Sequence, residues 1–277
     1  MHFGYCMGLN FLEGDMHVFE SVIKAGFDYV ELPLSAISGL SAGKLAELKK
    51  ALQAIPCRAA NLFFPQNLTI VGPSMDIGGV NAYLERMLPL AAELGMENLV
   101  FGNGGARKIP EGSSHDSVWD NLRTVVEIME THAAKSGIII SVEPLNHTET
   151  NIINSFGEAV DLTHGLQYVA AMIDNYHVAM ENQSFDDVIS HPNKLRHLHI
   201  AYPTGRMVPS PTDDMTLYVD FIKTVKQLGY DDKISIEGSL KSTAPDEIKG
   251  EIKSSLEMLK QLFNMFIPPT KEAWINK

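Results

Sequence analysis

Short apolar runs rich in β-branched residues alternate along this chain with longer stretches whose apolar positions fall at helical spacing. Eight runs read as strands: 2–7 (HFGYCM), 28–33 (DYVELP), 58–63 (RAANLF), 98–102, 138–143, 169–174, 195–200 and 233–237. Helices are expected between them at 17–25, 42–54, 79–95, 117–135, 156–165, 185–190 and 216–228, with a last one at 246–265. Several ends carry start or stop chemistry. Ser155 and Glu158 have capping-box spacing, Ser41 stands where an N-cap hydroxyl is wanted, and Gly26, Gly95, Gly137 and Gly229 follow helices where a left-handed turn is cheap. Eight strand–helix units in 277 residues predict a single-domain (β/α)8 barrel rather than an open doubly wound sheet. The barrel is expected over 1–266. Residues 267–277, with two prolines and Trp274, are expected to form a C-terminal tail that is disordered or docks on a neighbouring subunit. Met87, Leu88, Phe221 and Leu262 read as barrel packing.

In a barrel, the C-terminal ends of the strands build the active site. Strands five to eight each close on one metal-competent side chain: Glu143, Asp174, His199 and Glu237, separated by 31, 25 and 38 residues. A carboxylate ending one strand is as well explained as a helix cap; four in succession point to convergence at one rim. Three oxygen ligands and one imidazole suit a divalent ion of the Mn²⁺, Mg²⁺ or Co²⁺ kind, Mn²⁺ foremost, better than a thiolate-seeking metal. No GxGxxG follows the first strand, which removes the main dinucleotide signal. GNGGARK at 102–108 lacks the closing GK[ST] of a phosphate loop and reads as a flexible active-site loop, with Arg107 facing substrate or solvent.

Composition narrows the partners. A net charge of −12 argues against nucleic acid. No apolar run reaches the roughly 18 residues of a membrane span. The start, MHFGYCMGLN, lacks the basic-then-apolar order of a signal peptide, and Cys6 and Cys57 are not paired as CxxC. A cytoplasmic protein with two buried, reduced cysteines is expected.

The pattern resembles the xylose-isomerase-like barrels, and among them the ketose 3-epimerases of tagatose and psicose type. The resemblance covers nearly the whole chain in strand order, with its specific motifs in the second half. It implies that Glu149, six residues after Glu143, and His177, three after Asp174, contact substrate. The second histidine of the HxH at 197–199 would be the metal ligand, with His197 behind it on the same face. Arg206 would grip substrate oxygens, although its loop, AYPTGR, is one residue longer than the family pattern. The family's Glu-Pro-Phe at the end of strand eight is Glu-Gly-Ser here, at 237–239. Glu31 and Asn61 end strands two and three, where the family often lines its pocket; Arg107 is a further substrate-binding candidate.

The implied activity is a metal-dependent isomerase or epimerase acting on a ketose or keto-polyol through a metal-stabilised enediolate, with Glu143 and Glu237 as the acid/base pair. A free sugar or polyol is expected, since no phosphate cradle is evident, and so is a homo-oligomer. A lyase or dehydratase acting on a keto-inositol, keto-sugar or keto-glycoside would share the first proton abstraction. An AP endonuclease of the same barrel group would need histidines ending strands three and four, where Asn61–Phe63 and Gly102–Asn103 stand.

Overall fold

The computed structural model describes residues 1–266. Eight strands close into a parallel barrel in chain order: β1 (His2–Cys6), β2 (Tyr29–Pro33), β3 (Cys57–Asn61), β4 (Asn98–Phe101), β5 (Ile139–Val142), β6 (Val169–Asp174), β7 (Leu195–Ile200) and β8 (Lys233–Ile236). β1 meets β8 with His2 opposite Lys233 and Tyr5 opposite Ile236, which leaves no free edge. Between the strands run α1 (His17–Ala25), α2 (Ala42–Ala51), α3 (Ile77–Glu93), α4 (His115–Ser136), α5 (Phe156–Leu162), α6 (Asp186–Ser190) and α7 (Thr216–Gln227), and α8 (Pro245–Met265) closes the ring. The expected (β/α)8 architecture is therefore present. The expected tail lies outside the described residues.

Local chemistry explains the element ends. Ser155 Oγ accepts from Glu158 N while the Glu158 carboxylate accepts from Ser155 N, completing the capping box. Ser41 accepts from Lys44 N at the start of α2. Gly26 and Gly137 close α1 and α4 at φ 85° and 67°, a region that costs glycine little. α4 starts two residues earlier than expected, because Ser114 caps it through Ser117 N.

Inside the barrel, alternation along the strands sets two layers. Tyr29 fills the centre: a Cβ at Gly4 would lie 2.2 Å from its ring, so only glycine fits on β1 there. One step nearer the C-terminal rim stand Glu31, His199 and Glu237. Glu143 and Glu237 lie just past the ends of β5 and β8, yet their N–H groups still donate to the Phe101 and Ile200 carbonyls at 3.2 and 3.0 Å. The sheet ladder thus holds both carboxylates in place. The segment 102–108 departs from the expected flexible loop: Gly104–Arg107 is a short helical turn, with Gly104 seated so close to the Glu149 carbonyl that a Cβ would sit 2.9 Å from it. Among the described residues no helix is long and apolar enough to cross a membrane.

Candidate active site

Glu143, Asp174, His199 and Glu237 converge at the C-terminal rim, each offering a ligand atom within 4.8 Å of all the others. His199 Nδ1 lies 3.2 Å from Glu143 Oε1 and 3.0 Å from Glu237 Oε2. Asp174 Oδ1 accepts from Tyr176 N, so this carboxylate also caps the short helix Asn175–Met180, and Oδ2 is left facing the cluster. Glu143 is packed against Gly102, where a Cβ would come within 1.9 Å of Oε2. A glycine directly after β4 is what lets the fifth-strand ligand reach the site.

The charges are crowded. Burial opposes ionisation of Glu237, but His199 and Arg206 outweigh it and hold the carboxyl at about 2. Burial also works against a charged His199, and Glu237 with Glu31 overcomes it, raising the imidazole well above its usual range. Asp174 goes the other way: burial raises it, helped by Glu143 and Glu237 and opposed by His177 and Arg206. Three carboxylates drawn this close call for cationic charge among them, and that donor set fits a hard or borderline divalent ion.

Above the cluster, Arg206 donates through one terminal nitrogen to Glu237 Oε2 at 2.6 Å and Asp174 Oδ2 at 3.2 Å, and through the other to Glu149 Oε1 at 3.5 Å. Its guanidinium carbon lies 4.9 Å from the centre of the Tyr176 ring. The extra residue in the strand-seven loop is absorbed by Gly205 and Arg206 at φ 79° and 50°, with Tyr202 and Met207 pairing across the turn. The longer loop therefore still delivers Arg206 to the site.

His177 is buried beside Asp174. Asn146 N donates to its Nδ1 at 3.1 Å, so a neutral ring carries its proton on Nε2. Among the described residues that buried Nε2 has no hydrogen-bond partner, and it lies 3.8 Å from Asp174 Oδ2. Asn146, which the sequence reading passed over, also donates to Glu149 Oε1 at 3.2 Å and so links both expected substrate contacts. Its signal was its place three residues after Glu143.

Arg107 requires a correction. It is fully buried and donates to the carbonyls of Phe101, Glu143 and Ile153 at 3.0, 2.5 and 3.4 Å. Burial lowers its guanidinium to about 10 against the pull of Glu143 and Glu149. The helical turn at Gly104–Arg107 carries this side chain inward, where it clamps main chain and has no path to a substrate.

Asn61 lines the cavity and donates to Glu237 Oε1 at 2.9 Å. Glu31 is fully buried beside the cluster, accepting from both histidines of the HxH. Cys6, expected in the core, is instead partly exposed at the cavity wall; Cys57 is buried as expected. The cavity over Glu237 holds about 340 Å³, with Met7, Pro33 and Leu62 as apolar wall and Arg206 as polar wall. Leu62 has φ 45°, rare for a bulky residue, and is 48% exposed at this rim. A second lobe of about 190 Å³ adjoins it, sharing Cys6, Met7, Gly8 and Gly238 as common wall.

A sequence profile of the xylose isomerase-like TIM barrel family matches residues 19–262. The chain belongs to this family. The D-psicose 3-epimerase of Agrobacterium fabrum (strain C58) is 28% identical over 202 residues, covering 69% of this chain and 68% of that protein. The 3-dehydro-D-guloside 4-epimerase of Escherichia coli K12 is 25% identical over 172 residues, 58% of this chain and 64% of that one. Among solved structures, D-psicose 3-epimerase with D-tagatose from Clostridium cellulolyticum H10 superposes with a TM-score of 0.79. It has 19% identity and covers 95% of this chain and 99% of that one, a likeness of fold.

Proposed function

We propose that this chain is a divalent-metal-dependent epimerase of free ketoses that removes and returns a proton on the carbon beside the carbonyl. At the coarser level it is a sugar epimerase of the xylose isomerase-like family. The observation that carries the finer reading is the convergence of Glu143, Asp174, His199 and Glu237 within 4.8 Å, with Glu237 reaching the wall of an open cavity of about 340 Å³.

These four residues would hold the ion, Mn²⁺ foremost and Mg²⁺ or Co²⁺ as alternatives. A divalent ion there would polarise the ketose carbonyl and acidify the neighbouring C–H. The remaining work belongs to the chain. Glu143 and Glu237 come from β5 and β8, with β6 and β7 between them, and so address a substrate from different directions. One carboxylate takes the proton and the other returns it, which inverts the carbon. Asn61 keeps Glu237 oriented, and Gly102 leaves room for Glu143. His177 offers its unpartnered Nε2–H to a substrate oxygen. Arg206, charged at any physiological pH, exchanges its contacts with Asp174 and Glu237 for a substrate hydroxyl, with Glu149 beside it.

A second reading, a keto-sugar carrying an additional group such as a glycoside, is favoured by the adjoining lobe across Gly8 and Gly238. The test is epimerisation of a panel of free ketoses and keto-glycosides by Mn²⁺-loaded and EDTA-treated protein. Turnover of a free ketose only when metal is present supports the main reading; turnover of keto-glycosides alone favours the second. No conversion of any keto-sugar with the ion bound refutes both.

A further inference from the structure

We infer that Glu31 is the positioning residue that fixes which nitrogen of His199 faces the proposed metal site. The inference rests on that site being a metal site; its own geometry is the hydrogen bonding around Glu31. Tyr29 and Glu31 on β2, His197 and His199 on β7, and Ser235 on β8 with Glu237 just past its end are each two residues apart, so each pair faces the barrel interior. Glu31 is fully buried.

The proton bookkeeping has one solution. An ionised carboxylate can only accept, so each of its neighbours must donate. His199 donates from Nε2 to Oε1 at 3.0 Å. His197 donates from Nε2 to Oε2 at 2.9 Å, and Ser235 Oγ donates to the same oxygen at 2.6 Å. The Ser235 proton is then committed, which makes the Tyr29 hydroxyl the donor in their 2.8 Å contact. Whichever charge state the His199 ring takes, Nε2 keeps its proton. Nδ1 is the nitrogen left to give a lone pair, and it is the one 3.2 and 3.0 Å from Glu143 and Glu237. The nearest other partner for Nε2, Cys6 Sγ at 3.9 Å, is too distant and too weak to hold the ring. The first histidine of the HxH is thereby explained as a second donor to the same carboxylate, with no ligating role.

The test uses Glu31→Gln. A side-chain amide has one acceptor oxygen, whereas both oxygens of Glu31 receive donors, so either His199 or the His197–Ser235 pair must lose its partner. Histidine-selective ¹⁵N labelling, with His199 assigned by signal loss in His199→Gln, reads the Nε2 proton directly. In wild type, metal-free or loaded with diamagnetic Mg²⁺, a solvent-shielded, downfield N–H is expected on Nε2. In Glu31→Gln that signal should vanish or move to Nδ1, and the Mn²⁺ Kd should rise about 10–100-fold, the usual cost of losing such an outer partner. Should the glutamine variant fail to fold, Glu31→Asp, shorter by one methylene, should show both effects in smaller measure. Wild-type Mn²⁺ affinity in a folded Glu31→Gln protein overturns the inference. So does weakened binding with the proton still held on Nε2, since Glu31 would then act only as a charge. A wild-type protein that binds no Mn²⁺ would fail the metal reading instead, while the metal-free spectrum would still decide whether Glu31 sets the ring.

Discussion

Replacing Arg107 with methionine removes a buried charge whose partners are all main-chain carbonyls, while keeping much of its aliphatic volume. Two bonds are close, at 3.0 Å to Phe101 and 2.5 Å to Glu143; the third, to Ile153, is long at 3.4 Å. Leaving two buried acceptors unpaired costs about 1–3 kcal/mol each. Part of that is returned, because the guanidinium itself is desolvated, as its lowering to about 10 records. A net loss of about 2–4 kcal/mol follows, which in a domain of this size lowers Tm by roughly 4–16 °C. Scanning calorimetry or thermal circular dichroism on metal-free protein measures it, away from any substrate effect. A secondary loss of metal affinity is expected, since the Glu143 carbonyl is one of the clamped groups. An Arg107→Met protein with unchanged Tm but a raised KM would refute this reasoning and return Arg107 to the substrate.

The site makes three more predictions. Glu143→Gln and Glu237→Gln should each abolish turnover even when Mn²⁺ occupancy is restored by excess ion and confirmed by metal analysis; recovery to near wild-type rate would remove the acid/base role and leave only ligation. Asp174→Asn should lose metal binding yet stabilise the metal-free protein at pH 7. The folded Asp174 carboxyl is raised above its unfolded value, so its ionisation costs stability above the folded pKa, and that cost fades as pH falls through it; urea midpoints of variant and wild type should therefore converge below about pH 4. Arg206→Ala should lower kcat/KM several-fold to about a hundredfold, the cost of a charged donor, while Mn²⁺ affinity stays level or tightens because a competing cation has left Asp174 and Glu237. Weaker Mn²⁺ binding in titration calorimetry would count against that assignment.

Strand order and the four rim residues were legible because both depend on local signals: a period-two apolar run, then one polar residue where the run stops. What stayed hidden depends on partners distant in sequence. Arg107 sits in GNGGARK, whose composition reads as loop, and its acceptors lie at 101, 143 and 153. Nothing in a linear reading marks an arginine that serves three carbonyls. Glu31 was placed at a pocket wall by its strand-ending position; its partners at 197, 199 and 235 lie on β7 and β8, distant in sequence, and only barrel closure through β1 brings them to it. Arg206 shows the converse. Counting residues set it one place too far, but two successive left-handed residues take up the slack, and backbone conformation of that kind is not written in spacing.

The central claim is proton exchange at a carbon beside a carbonyl, carried by Glu143 and Glu237. Its most direct test is to incubate Mn²⁺-saturated protein with the ketose it epimerises in D₂O and follow that carbon by NMR. Solvent deuterium accumulating there in both product and recovered substrate, and disappearing in Glu143→Gln at full metal occupancy, is the expected result. Epimer formed over many turnovers with no deuterium at that carbon would contradict the account.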